Sequence, residues 1–286
     1  EHKLSKQIKK AMQNWSIEVS PSSNKKINDF REVLPVGTTV NVTEIPGSDP
    51  ERILSTVHQL ASQEMNAVPH IAARGIESLA ALDGLITRYR EAHVTEVLLI
   101  AGGYKQPIGD FASSIDVLET GLLENLGIKK VGVAGHPEGS PDISKAELAD
   151  ALKRKNAIAQ ESGLDMYLET QFCFDAQAIL DWEEQIREAG NRLPIRVGLA
   201  GPARLKTLIH VAVISGVGPS LQFLKKQARN VTKLLTVQDP YELIETLAPH
   251  IDPQSPSALQ SIHLYPFGDF SQTAYFANQL AAQGMR

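Results

Sequence analysis

Cysteine is nearly absent: Cys173 is the single thiol in 286 residues, so no disulfide can form within the chain. That usage fits a reducing compartment, and the expectation is a cytoplasmic protein. No apolar run approaches the roughly 20 residues needed to span a bilayer, and no membrane partner is expected. Positive charge is not in excess either. The formal net charge is −5 and the isoelectric point about 5.9, which argues against a nucleic-acid binder but permits a local basic pocket. No G-x-G-x-x-G follows an apolar run, so a Rossmann dinucleotide site is not indicated. No G-x-S-x-G elbow occurs, and the eight histidines show no metal-ligand spacing, so no metal is expected. The N-terminal "EHKLSKQIKKAMQN" is basic without the apolar centre of a signal peptide, and reads as a leading helix at about 3–14.

What the sequence does contain is a rhythm. Short apolar runs fall at 15–20, 38–45, 66–73, 96–103, 129–136, 165–172, 194–201 and 261–268. Most are aliphatic or β-branched, as parallel strands covered on both faces require. Amphipathic stretches of helical length lie between them, at 50–63, 77–91, 112–125, 144–162, 176–189 and 203–214. A longer helical region follows the seventh run, with a further helix near Asp239-Pro240 and a last one from about Ser271. Asp49-Pro50 is a capping residue followed by a first-turn proline. Eight such units without a Ser/Gly-rich linker point to one (β/α)8 TIM barrel domain over residues 1–286, with a doubly wound open sheet as the alternative.

A barrel of this kind places its chemistry at the C-terminal ends of the strands. Here those ends carry Glu18, Thr43, His70, Gly102-Gly103, His136, Gln171 and Gly201. Glu18 is the sharpest anomaly, because it interrupts the alternation of Trp15, Ile17 and Val19. It either faces water on an ordinary strand or works as an acid at the barrel mouth.

The segments "WSIEVSP", "VPH" (68–70), "VAGHPEGSP" (133–141), "LKRK" (152–155), "ETQFCFD" (169–175) and "IHLYPFG" occur in an order that resembles the methylenetetrahydrofolate reductase family. The likeness runs from about Trp15 to the C-terminal helix. It implies a (β/α)8 barrel carrying FAD that uses NADH or NADPH to interconvert 5,10-methylenetetrahydrofolate and 5-methyltetrahydrofolate, as in methionine biosynthesis. On that likeness Glu18 is the general acid that protonates N10 of the folate, a task that needs a carboxyl with a raised pKa. Gln171 matches the glutamine that contacts the substrate; its amide offers both a donor and an acceptor to a pterin edge. Phe172 and Phe174 are expected in the core, and Cys173 as a buried small residue.

The same likeness assigns flavin contacts to Thr43, His70, the Phe111-Ala112-Ser113 segment and Lys155. Departures accompany them. The family's Arg-Gly-Asp after strand four reads Ala101-Gly102-Gly103, with Ala101 and Gly102 on the cofactor side and Gly103 on the substrate side. A tyrosine becomes His136, a histidine becomes Ser140, an acidic residue becomes Leu148, and a phenylalanine that can stack on nicotinamide or folate becomes Leu205. A Thr-Cys-X-Asp run reads "AARG", introducing Arg74. Two routes to catalysis follow: FAD held through rearranged contacts, with Arg74 or His136 compensating, or direct hydride transfer from NAD(P)H without flavin. A non-redox folate-binding partner of a methyltransferase is the reading from another class. A homo-oligomer is compatible with all three.

Overall fold

The computed structural model describes residues 2–23, 26–228 and 230–286. Each of the eight apolar runs forms a strand: β1 (Ser16–Val19), β2 (Thr39–Val42), β3 (Asn66–Ala72), β4 (Glu96–Ile100), β5 (Lys130–Gly135), β6 (Asp165–Thr170), β7 (Ile195–Ala200) and β10 (Leu259–Tyr265). They close in the order β1-β10-β7-β6-β5-β4-β3-β2, so the chain is a (β/α)8 barrel and the open-sheet alternative falls. The short strands β8 (Ala203–Arg204) and β9 (Val237–Gln238) pair separately as an antiparallel ribbon.

The helices are α1 (His2–Ala11), α2 (Pro50–Ser62), α3 (Leu79–Glu91), α4 (Ser114–Leu118), α5 (Leu122–Asn125), α6 (Lys145–Ser162), α7 (Ala176–Glu188), α8 (Leu205–Ile214), α9 (Gly218–Gln227), α10 (Val231–Leu234), α11 (Tyr241–Leu247) and α12 (Phe270–Gln283). Their starts are chemically marked. Asp49, Ser78, Asp175 and Asp269 each accept an N–H from the first turn of α2, α3, α7 and α12, satisfying donors that have no partner within the helix.

Two expectations change. The stretch 112–125 is not one helix, because Gly121 adopts a left-handed φ of 72° and separates α4 from α5. The region after β7 holds α8, α9 and α10, and its ends are tied together by the β8–β9 ribbon and by Leu205 N–H donating to Thr236 O at 2.9 Å.

Contacts divide the chain into two compact units. The first comprises Glu18–Ala134 and Ala151–Leu168. Val68, Leu98 and Tyr167 cluster within it. Gly132 makes room for them, since a Cβ there would lie 2.5 Å from the Tyr167 ring. The Tyr167 hydroxyl donates to Glu96 Oε2 at 2.7 Å, while Asn66 Nδ2 donates to Glu96 Oε1 at 3.2 Å and to Thr39 Oγ1 at 3.1 Å. A carboxylate that is 5% exposed is thereby partnered on both oxygens.

The second unit comprises Glu1–Ile17, Gly135–Asp150 and Glu169–Arg286. β10 pairs with β7 and with the start of β1, Ser16 opposite His263. The buried His263 Nδ1 lies 2.7 Å from Ser16 Oγ and 3.5 Å from Glu169 Oε1. Phe172, Ala200, Ala203, Leu205, Leu208 and Leu224 belong to one apolar cluster. The leading helix α1 packs on α12, and Lys10 pairs with Asp252 at 2.9 Å.

Candidate active site

In the first unit Glu18 follows and precedes residues on β1 that are almost wholly buried. Ile17 and Val19 are 0% and 1% exposed on either side of Glu18. The Glu18 carboxyl keeps some exposed area yet is surrounded by protein. Loss of solvation pushes its pKa up to about 7, and the nearby His70 pulls the other way to a smaller extent. His70 lies on β3, two residues before its end at Ala72, and is 8% exposed. Thr43, immediately after β2, donates its N–H to Val19 O at 3.1 Å and ties the end of β2 to β1. These three expected residues therefore lie at or near the C-terminal ends of β1, β2 and β3, and the carboxyl among them can gain and lose a proton near neutral pH.

Glu44 is a second carboxyl that the sequence reading overlooked. It is half-buried, its pKa is raised by burial, and Oε2 accepts the Ala72 N–H at 3.1 Å. The one available signal was its position directly after Thr43 at a strand end.

The loop after β4 is built around Arg74. Its Nε donates to Ala112 O at 2.9 Å and its Nη1 to Tyr104 O at 3.2 Å, while its backbone N–H reaches Ala101 O at 3.0 Å. The guanidinium thus ties the turn after β3 to the loop after β4. Gly102 has φ 94°, and a Cβ there would lie 2.8 Å from the Ala72 Cβ; at the exposed Gly103 it would meet Pro46 at 3.2 Å. Both glycines answer to backbone proximity. Phe111 is 6% exposed and packs inward. Ala112 is exposed, and its N–H and that of Ser113 both donate to Asp116 Oδ2, at 2.8 and 3.2 Å, in a capping box on α4. A carboxylate therefore holds the two amides at that helix start.

Lys155 departs from the solvated lysine of an ordinary helix face. It is 9% exposed, and Nζ donates to Ala134 O at 3.3 Å. Burial pulls its pKa down to about 8. A buried ammonium that donates to a neutral carbonyl is suited to an anionic group such as a phosphate.

The second unit holds His136, Gln171 and Leu205. His136 follows β5, is half-buried, and its carbonyl accepts the Gly139 N–H at 3.1 Å. Gln171 follows β6; its backbone N–H donates to Gly135 O at 2.9 Å and its Oε1 accepts the Phe172 N–H at 3.2 Å. Leu205, expected against substrate, is 1% exposed inside the apolar cluster, where it packs as a core residue. Cys173 is buried as expected; burial pushes its thiol up to about 12, and it shares Glu138 Oε1 with the Ser220 hydroxyl at 3.3 and 2.7 Å. Unforeseen is an aromatic group at the end of β10, in which Tyr265 and Phe267 stack and Phe172 meets both edge-on.

Among solved structures the chain is similar to a protein from Clostridium thermocellum that binds two copies of 5-methyl-5,6,7,8-tetrahydrofolic acid. The two are 11% identical with a TM-score of 0.57, over 98% of each chain. It is also similar to a protein from Burkholderia cenocepacia J2315 described as a phosphonomutase, 10% identical with a TM-score of 0.52, over 97% of this chain and 95% of that one. At such identities these two share the fold. A family model described as "Methylenetetrahydrofolate reductase" matches residues 3–262. With the match covering nearly the whole barrel, the chain belongs to the methylenetetrahydrofolate reductase family.

Proposed function

We propose that this chain, as a single barrel domain, interconverts 5,10-methylenetetrahydrofolate and 5-methyltetrahydrofolate with NAD(P)H, using Glu18 as the acid. The observation that carries the reading is a carboxyl at a strand end whose pKa lies at about 7, next to a family assignment that asks for a proton donor. In the reducing direction Glu18 gives its proton to N10, the bond from N10 to the bridging carbon breaks, and an N5 iminium is left. A hydride originating from NAD(P)H adds to that carbon and yields the methyl group, with NAD(P)+ as the other product. Gln171 holds the pterin through its amide. Bound FAD would supply a two-electron relay between nicotinamide and folate. Thr43, His70 and Lys155 are the residues that would hold it, with Lys155 facing a phosphate.

A second reading, direct hydride transfer without flavin, is favoured by Asp116 at the α4 start, which already takes the Ala112 and Ser113 N–H groups of the segment assigned to the flavin. The visible spectrum of the purified protein after incubation with FAD and desalting separates the two. A retained flavin band supports the relay; a colourless protein that still turns over supports direct transfer. The acid itself is tested by Glu18→Gln, which should keep folate affinity while turnover falls by about two or more orders of magnitude. Turnover like that of the unaltered protein would remove Glu18 from the mechanism. Folate binding without any turnover by the unaltered protein would favour the non-redox partner.

A further inference from the structure

Tyr265 and Phe267 are held by stacking, by a hydrogen bond and by close backbone approach. Their ring planes are 10° apart and their centroids 5.7 Å apart. The Tyr265 hydroxyl donates to Thr170 O at 2.7 Å. That ring position demands glycine at 198, because a Cβ there would run into both the Tyr265 ring and the Thr170 carbonyl. Gly268, next to Phe267, lets the backbone approach Pro202, since a Cβ there would lie 2.5 Å from Pro202 O. Phe172 braces the pair edge-on, with centroids 6.2 Å from Tyr265 and 5.0 Å from Phe267. Phe172 and Leu205 are 2% and 1% exposed, whereas Tyr265 and Phe267 stay half-buried. Two stacked rings, one held by Gly198 and a hydrogen bond and both left partly open at the C-terminal end of a barrel strand, form a surface suited to a flat ring.

We propose that Phe267, backed by Tyr265, stacks on the pterin ring of the folate substrate. The inference rests on the folate reading above and deepens it. Gln171 directly precedes Phe172, the residue that braces Phe267, so a donor for the edge of the ring and a surface for its face are joined through one side chain. The Gln171 amide nitrogen has no protein acceptor among the described residues, while its oxygen is engaged by Phe172 N–H. Leu205 is packed away, so the end of β10 supplies the aromatic face in this unit. Stacking is indifferent to the reduced half of the pterin, because the planar pyrimidinone half provides the contact.

The test titrates 5-methyltetrahydrofolate into the full chain and into Phe267→Leu and Phe267→Trp, with thermal unfolding followed in parallel. Phe267→Leu should weaken binding about ten-fold, and Phe267→Trp should bind within about three-fold of the unaltered protein. The new indole should also show saturable quenching by the pterin beyond that of Trp15 and Trp182. This second readout stands even where Phe267→Leu fails to fold. Unchanged affinity in a folded Phe267→Leu, or no added quenching in Phe267→Trp, would overturn the stacking role alone. Failure of the unaltered protein to bind folate would overturn the functional reading and this inference together.

Discussion

Lys155 turns its ammonium onto the carbonyl of Ala134, 3.3 Å away, although its side chain is almost wholly buried. Burial lowers its pKa from 10.5 to about 8, so between those values the unfolded chain binds more protons than the folded one. Stability should therefore rise with pH from about 8 to about 10.5 on account of this residue. Lys155→Met should flatten that rise and stabilise the protein at pH 7 by about 1–3 kcal/mol. Urea unfolding of both proteins at pH 7, 9 and 10.5 measures it, and a less stable Lys155→Met at pH 7 would contradict an uncompensated burial cost.

Glu18 behaves in the opposite sense. Its folded pKa of about 7 lies above the ordinary 4.5, so the folded state holds the extra proton in that window. Its contribution to stability is complete below about 4.5 and is lost as pH rises to about 7. Glu18→Gln should remove this decline, changing the difference between pH 4.5 and 7.5 by about 1–3 kcal/mol. Chemical denaturation across that range is the measurement; parallel pH profiles for the two proteins would place the Glu18 pKa at an ordinary value.

Arg74 joins its own turn to carbonyls 30 and 38 positions along the chain. Arg74→Ala should cost about 1–3 kcal/mol and raise amide hydrogen exchange across residues 101–113. Arg74→Lys should rescue little of this, because an ammonium cannot reproduce the fork of a guanidinium. Normal protection of that loop in Arg74→Ala would show the clamp to be dispensable.

Gly198 is the position where one added methyl group has no room, with Thr170 O and the Tyr265 ring both in its path. Gly198→Ala should destabilise the chain by about 1–3 kcal/mol and disturb Tyr265 in near-ultraviolet circular dichroism. An unaltered melting temperature and aromatic spectrum would mean that the strand shifts without loss.

The strands were legible because parallel strands covered on both faces are mostly apolar, and the runs from Trp15 to Phe267 are. Helix starts such as Asp49-Pro50 were legible because the chemistry of a cap is local. The β8–β9 ribbon was not, since Ala203 and Gln238 meet only after three helices have folded between them. Glu18 stood out because a carboxylate between Ile17 and Val19 breaks its own pattern. Lys155 did not reveal its burial, as helical periodicity places a residue on a face without saying whether the stem lies along the barrel. The aromatic pair was hidden for the same kind of reason: the openings left by Gly198 and Gly268 exist only in three dimensions.

Glu96 has a consequence for how the barrel finds one arrangement. Its two oxygens are claimed by Asn66 on β3 and Tyr167 on β6, and Asn66 also holds Thr39 on β2. Successive residues of a strand face opposite sides, so a slip of one position would carry a partner away from the carboxylate. A buried carboxyl oxygen would then lose that donor, at a cost of about 1–3 kcal/mol. An apolar side chain at 96 would fill the same space but tolerate such a slip. The polar belt acts as a register key, making misaligned barrels energetically distinguishable from the right one.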